Sequence, residues 1–503
     1  MLAATLREAA RRFADSPAYV AEGGWPLSFR DLDRVSDELA VGLSGRGLEL
    51  GDVLALVLPP GPEYLVAYLA AAKLGAITAG VNDRLTSAER STVLERAAPR
   101  LTLAAPGLTP NEVEAITLEP AEDVGALAAP LRVPGAAPAT LPDDPERPVA
   151  IVFTSGTTGT PKGALYGTRQ LSFITANDVG DAWGGGGSGF TGTSFAHLGF
   201  MTKLAGNLRR GGTSFIMRRW SAHGSLALLA EQRMTNVAGV PAQLALMLRE
   251  PDFDRFDLDS VAFIVVGGGP VTPGLAEEAR ARFGALLSTR YSCTEAGIGL
   301  GTAFDDPDED AVVSVGRPHR AVELRLLDET DRPVPAGNVG AVCLRSPAVM
   351  SGYWRDPDAT KAAFTPDGFV RTGDLGWLDE QGRLRLVGRT KEMYVRGGYN
   401  IYPVEVEAVL STHPGVAAVA LVPRPDAVMG EVGVAVVVAT DAAHPPTLEA
   451  LRAFSAERLA RYKLPEELRV VDALPLTAMD KVDRRRLATE VGGVGAAPPA
   501  RRG

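Results

Sequence analysis

The sequence predicts an α/β protein with three parts: a large N-terminal domain of mixed and parallel sheets with helices, a β-rich subdomain, and a small mobile α+β C-terminal domain. Three observations carry this expectation. Short apolar runs at Val53–Leu58, Val149–Phe153 and Val261–Val266 read as buried strands. Helix patterns lie between such runs, as at Glu63–Leu74 stopped by Gly75, and the alternation implies mostly parallel sheets. After about Val322, turn signals crowd together at Pro333–Gly337, Asp367–Gly368 and Asp379–Gly382, a pattern of short strands.

Each element has its own justification. Met1–Phe13 mixes acidic and basic residues with apolar ones, so it reads as an amphipathic helix and not as a signal peptide. Leu65–Val81 is the most apolar stretch, but Lys73 and two glycines break it too often for a membrane span. Pro120–Pro148 holds seven prolines among small residues and reads as a connector. A smaller unit begins near Thr390, where Pro403 occupies a favoured first-turn position before the helix Val404–Leu410. The expected division is 1–389, 390–490 and a disordered tail, 491–503, rich in Gly, Ala, Pro and Arg.

Bulk properties narrow the function. The 503 residues are 46% hydrophobic and 22% charged, an ordinary globular composition. The formal charge of −10 disfavours nucleic-acid binding, so a phosphate-bearing ligand needs a local site. Cys293 and Cys343 form no CxxC pair, so neither a thiolate zinc site nor a disulfide framework is expected, which fits a cytoplasmic protein.

The strand at Val149–Phe153 runs into Thr154-Ser155-Gly156-Thr157-Thr158-Gly159-Thr160-Pro161-Lys162-Gly163. Its glycines let backbone N–H groups turn toward an anion, its hydroxyls add donors, and Lys162 adds a point charge. The spacing matches neither a Walker A loop nor GxGxxG.

This string resembles the signature loop of the adenylate-forming superfamily: acyl- and aryl-CoA synthetases, peptide-synthetase adenylation domains and beetle luciferase. Further strings, in the family's order from Pro17 to about Leu487, strengthen the resemblance. Gly267-Gly268-Gly269-Pro270 is similar to the adenine-side glycine turn, and Tyr291-Ser292-Cys293-Thr294-Glu295 to the Tyr-Gly-x-Thr-Glu motif. The resemblance implies that Tyr291 stacks on adenine, Ser292 and Thr294 line the nucleotide site, and Glu295 binds Mg2+ together with Thr157. Asp374 in Arg371-Thr372-Gly373-Asp374 matches the aspartate that grips the ribose diol, for which a carboxylate is a natural double acceptor. Arg389 would contact the nucleotide and Lys391 would be the hinge. Gly397-Gly398-Tyr399 would line the pantetheine tunnel of coenzyme A, and Lys481 would be the catalytic lysine.

The implied acyl pocket includes His197, Gly199, Gly268, Ser292 and Ala296. His197 alone fits a packed core residue as well as a gate; the companion motifs favour the gate. Cys293 reads as packing and not as a nucleophile. Four departures stand out: Ser292 and Asp480 where the family has Gly, Glu392 where it often has Asp, and Ala341 where it often has Glu.

The resemblance implies activation of a carboxylic acid by ATP and Mg2+ through an acyl-adenylate. The acyl group then passes to coenzyme A, with a hydrophobic, aromatic or medium-chain monocarboxylic acid as substrate. No carrier domain follows Leu487, so the acceptor is expected to be a separate molecule. Three alternatives stay open: a stand-alone carrier protein as acceptor, an unusual oxyanion with a nitrogen acceptor, and a non-catalytic nucleotide-binding homologue.

Overall fold

The computed structural model describes residues 1–110, 113–154, 161–478 and 480–492. A six-stranded sheet holds the start of the chain. Its order is Ile116–Thr117, Leu101–Ala104, Val53–Val57, Ile77–Gly80, Pro148–Phe153 and Gly163–Gly167. The first five strands are parallel and the last is antiparallel. The helix Pro62–Leu74 packs against it with nearly every side chain buried, and Gly75 ends that helix in the left-handed conformation at φ 72°. The lysine that broke the apolar stretch is accommodated by charge: the Lys73 ammonium is fully buried, 2.6 Å from Asp33 and 2.7 Å from Asp37.

A second sheet is parallel over Asn236–Gly239, Phe263–Gly267 and Leu286–Tyr291, then antiparallel through Leu300–Gly301 and Arg317–Pro318. Its middle strand starts later than the apolar run suggested. Val261 instead closes a turn, donating to the Leu258 carbonyl at 2.9 Å. A third sheet of Pro26–Ser28, Pro17–Val20, Ser214–Ile216 and Gly189–Thr191 flanks these two.

The expected β-rich subdomain is the antiparallel sheet Glu323–Leu327, Gly340–Arg345, Val370–Leu378 and Leu384–Arg389. Beyond Arg389 a fifth sheet forms around the long pair Val416–Asp426 and Gly430–Ala439. The hairpin Tyr394–Arg396/Tyr399–Ile401 joins one end of it and Glu467–Val470 its edge, and the helix Pro403–Leu410 packs on it. Among the described residues, Pro120–Pro148 holds one 3-10 turn, Ala129–Leu131, and Pro148 opens a strand.

One boundary moves. The last helix runs Arg484–Gly492, two residues into the stretch read as tail, because Leu487 and Val491 are buried against the fifth sheet. Arg484 anchors it, donating at 2.6 and 2.7 Å to the two oxygens of buried Glu407. Residues 493–503 lie outside the described residues. Among those described, no helix is long and apolar enough to cross a membrane.

Candidate active site

The carboxyl ends of parallel strands are where an open α/β sheet binds ligands. The site residues gather there. Pro148–Phe153 delivers Thr154, whose N–H donates to the Lys162 carbonyl at 2.9 Å and closes the base of the Gly/Thr-rich loop. Ser155, Gly156, Thr157, Thr158, Gly159 and Thr160 lie outside the described residues, including Thr157 of the expected metal pair. The Lys162 ammonium stands over the Tyr353 ring, 5.1 Å from its centre. The same tyrosine donates its hydroxyl to Glu295 at 2.7 Å. Burial, followed by the Glu295 charge, pushes the Tyr353 phenol far up, so it stays protonated and remains a donor.

In the second sheet the strand Phe263–Gly267 ends at Gly267, where a Cβ would collide with the Arg290 carbonyl. Gly268 comes next with φ 80°, so these two positions need glycine for different reasons, one steric and one conformational. Gly269 lies against Pro241, and Pro270 completes the turn. The third strand ends at Tyr291, whose hydroxyl donates to Asp374 Oδ2 at 2.7 Å. Asp374 is 7% exposed and takes a second bond on Oδ1, from Arg389 Nε at 2.9 Å. One carboxylate thus joins the second sheet to the last two strands of the β-rich sheet.

The 292–297 segment is held by its own turn and by two groups from elsewhere in the chain. Ser292 Oγ donates to the Gly297 carbonyl at 2.9 Å, so the hydroxyl that departs from the family pattern is turned onto its own loop. The Tyr166 hydroxyl donates to the Thr294 carbonyl, and the Met350 N–H to the Glu295 carbonyl. Ala296 is fully buried in the main core, and burial raises the Cys293 thiol well above its usual range, which fits packing. Gly199 sits in the helix Leu198–Met201 with nothing near the position a Cβ would take.

His197 caps that helix and is partly buried. Burial first, then the Lys481 and Arg84 charges, pull its imidazole down to about 4. The tautomer is set by its partner. Asn82 accepts the Arg84 N–H on Oδ1 at 2.9 Å, which leaves its amide nitrogen to face His197 Nε2 at 2.9 Å. His197 Nε2 is therefore the acceptor and Nδ1 carries the proton.

The C-terminal unit brings Lys481 into this neighbourhood. The turn before it closes by Thr477 N–H to the Lys481 carbonyl, 2.7 Å, and Asp480 N–H to the Thr477 carbonyl, 3.0 Å. Burial and then Arg389 lower the Lys481 pKa, while Asp374 and Glu392 work against the fall. Lys391 stands exposed in the turn between Leu384–Arg389 and Tyr394–Arg396. The structure does not bring Gly397, Gly398 and Tyr399 to the site with Lys481. The glycines have φ 54° and 87°, and Tyr399 is 55% exposed and stacked on Tyr462 at 4.4 Å.

Sequence reading missed Asn82, Arg84, Tyr166 and Tyr353. The first two come just after the strand Ile77–Gly80, so the rule about carboxyl strand ends pointed to them. Tyr166 lies on the strand that leaves the signature string and Tyr353 beyond any motif, so neither residue stood within a motif itself.

Asp374 with its two donors, Glu295 with Tyr353, and the partly buried His197 and Lys481 gather near these strand ends. The chain belongs to the AMP-binding enzyme family, matching it over residues 6–354, with the family's C-terminal domain at 405–481. It is an adenylate-forming ligase that uses ATP. It is 32% identical over 491 residues to a fatty acid–[acyl-carrier-protein] ligase, ScoC, of Streptomyces coeruleorubidus, covering 95% of this chain and 94% of that one. It is 32% identical to a feruloyl-CoA synthase of an Amycolatopsis species over 94% of this chain and 95% of the other. Among solved structures, the amide bond synthetase McbA from Marinactinospora thermotolerans superposes with a TM-score of 0.85 at 29% identity, covering 98% of this chain and 100% of that one.

Proposed function

We propose that this ligase converts a carboxylic acid and MgATP to an acyl-adenylate and pyrophosphate, then transfers the acyl group to the thiol of coenzyme A. The observation that carries the first half is the placement of Lys481, partly buried on the turn tied to Asn82 and Arg84, where the Arg389 and Asp374 charges act on it. A cation there offsets the negative charge that builds up as a carboxylate oxygen attacks the α-phosphate. Each Asp374 oxygen already accepts one donor and keeps a lone pair, so a ribose diol can add two more bonds. Glu295 offers a single hard oxygen ligand, which suits Mg2+ held mainly by substrate phosphates and water. Among the described residues there is no cluster of three candidate ligands that would hold a metal by itself. Neutral His197 would wall the acyl pocket without adding charge.

For the second half, a division at residues 389 and 390 and a rotation about Lys391 would withdraw the lysine loop and present Gly397–Tyr399 to the thiol. Support for coenzyme A comes from the feruloyl-CoA synthase relative. The ScoC relative favours a carrier protein, and the McbA likeness an amine, as second readings of the acceptor. A hydrophobic monocarboxylic acid is supported by the basic groups nearby. Lys203 is committed to Asp178 at 3.5 Å, and Arg290 Nη1 donates to the Thr302 carbonyl at 2.6 Å.

The test is pyrophosphate release with MgATP over a panel of aryl and alkyl acids, each with coenzyme A, a carrier protein, an amine or no acceptor. Turnover only with coenzyme A, with acyl-CoA in the mass spectrum, supports the proposal. Turnover only with a carrier or an amine replaces the acceptor. No release with any acid overturns the ligase reading in favour of a non-catalytic homologue.

A further inference from the structure

Asp480 stands where the resembling family has glycine, and two features of the structure bear on that change. Its φ is 54°, in the left-handed region that aspartate tolerates better than most residues. Its Oδ1 also lies 2.8 Å from Arg84 Nη1, with the side chains 20% and 31% exposed. These residues are 396 positions apart, one beside Lys481 and the other just past the strand Ile77–Gly80. A second tie runs parallel: the Asn82 amide that holds His197 also donates to the Ala478 carbonyl at 3.3 Å. Asn82 is itself oriented by the Arg84 N–H. Glycine at 480 would form the turn but could not make the ion pair.

We propose that Arg84 and Asn82 are positioning residues that latch the lysine loop onto the N-terminal unit, with the Arg84–Asp480 pair as the latch. The latch sets how much of its time the chain keeps Lys481 in the nucleotide site before the loop withdraws. This rests on the reading of Lys481 as the adenylation lysine. Partly exposed ion pairs of this kind shift an equilibrium by about two- to five-fold, enough to tune an alternation without freezing it.

The test is single-molecule energy transfer between dyes on introduced cysteines. Val428→Cys, at a position 86% exposed, labels the C-terminal unit, and Glu146→Cys, 68% exposed, labels the N-terminal one. The native Cys293 and Cys343 are buried. Arg84→Met and Asp480→Asn should each lower the ratio of docked to undocked molecules about two- to five-fold. The double variant should fall no further than either single one, and Arg84→Lys should recover part of the loss. Salt at about 0.5 M should reproduce the effect in the unsubstituted chain and leave Asp480→Asn unchanged. Populations that do not move, or single effects that add, overturn the latch. The readout involves no chemistry, so a chain that shifts populations but releases no pyrophosphate retains the latch and loses the ligase reading.

Discussion

Two loops of the C-terminal unit meet opposite fates. The turn at 477–481 is tied to the N-terminal unit by Asn82 and Arg84, and its lysine is partly buried. The hairpin at 396–399 carries two glycines in the left-handed region and a tyrosine that faces solvent. Both strings read as functional in the sequence, yet only one stands at the site. Under the proposed two-step reaction, the first loop serves adenylation and the second would replace it for thiol transfer.

Substitutions can break this contrast, beginning with the largest effect. Lys481→Ala should slow pyrophosphate release by about 100- to 1000-fold, the scale of removing one group aimed at developing charge. Transfer from supplied acyl-adenylate to coenzyme A should change only a few-fold in single-turnover assays. Equal loss of both steps would erase the distinction between the loops.

The His197 environment gives the next effect, on stability. In the fold its imidazole stays neutral down to about 4, whereas the unfolded chain takes up a proton below about 6.5. Below about 6.5 the unfolded state therefore binds more protons, and stability falls as pH drops toward 4. The loss is about 3 kcal/mol, at about 1.4 kcal/mol per pKa unit. His197→Gln should remove this part of the pH dependence, seen as a flatter difference in urea midpoints between pH 7 and pH 4.5.

On the exposed loop, Gly398→Leu should slow thiol transfer about ten-fold and leave pyrophosphate release intact. A residue other than glycine at φ 87° is strained by about 1–3 kcal/mol. If adenylate formation suffered instead, the hairpin would belong to the first half. Tyr353→Phe is the mildest: losing one hydrogen bond to Glu295 should raise the Mg2+ requirement of pyrophosphate release only about two- to five-fold.

Much of the fold could be read from local pattern. Gly75 stopping the helix Pro62–Leu74, and Pro403 opening the helix Pro403–Leu410, depend on backbone conformations that the residue type alone dictates. The motif residues Tyr291, Asp374 and Arg389 were also legible, though 83 and 15 residues separate Asp374 from its two partners. Their bonding to one carboxylate was not, because hydrogen bonds between distant segments leave no periodicity in the chain.

Asp480 marks the division most clearly. The sequence by itself determined a turn that favours a left-handed residue before Lys481, along with the strands, their caps and the order of the motifs, since these depend on local sterics and hydrophobic spacing. Only the tertiary structure decided that the aspartate meets Arg84 and that Asn82 fixes the His197 tautomer. It also decided that Lys73 is neutralised by Asp33 and Asp37 inside an apolar helix. Those outcomes depend on which charges share a desolvated space, and burial, which sets the strength of a charge pair, is a property of the packed chain.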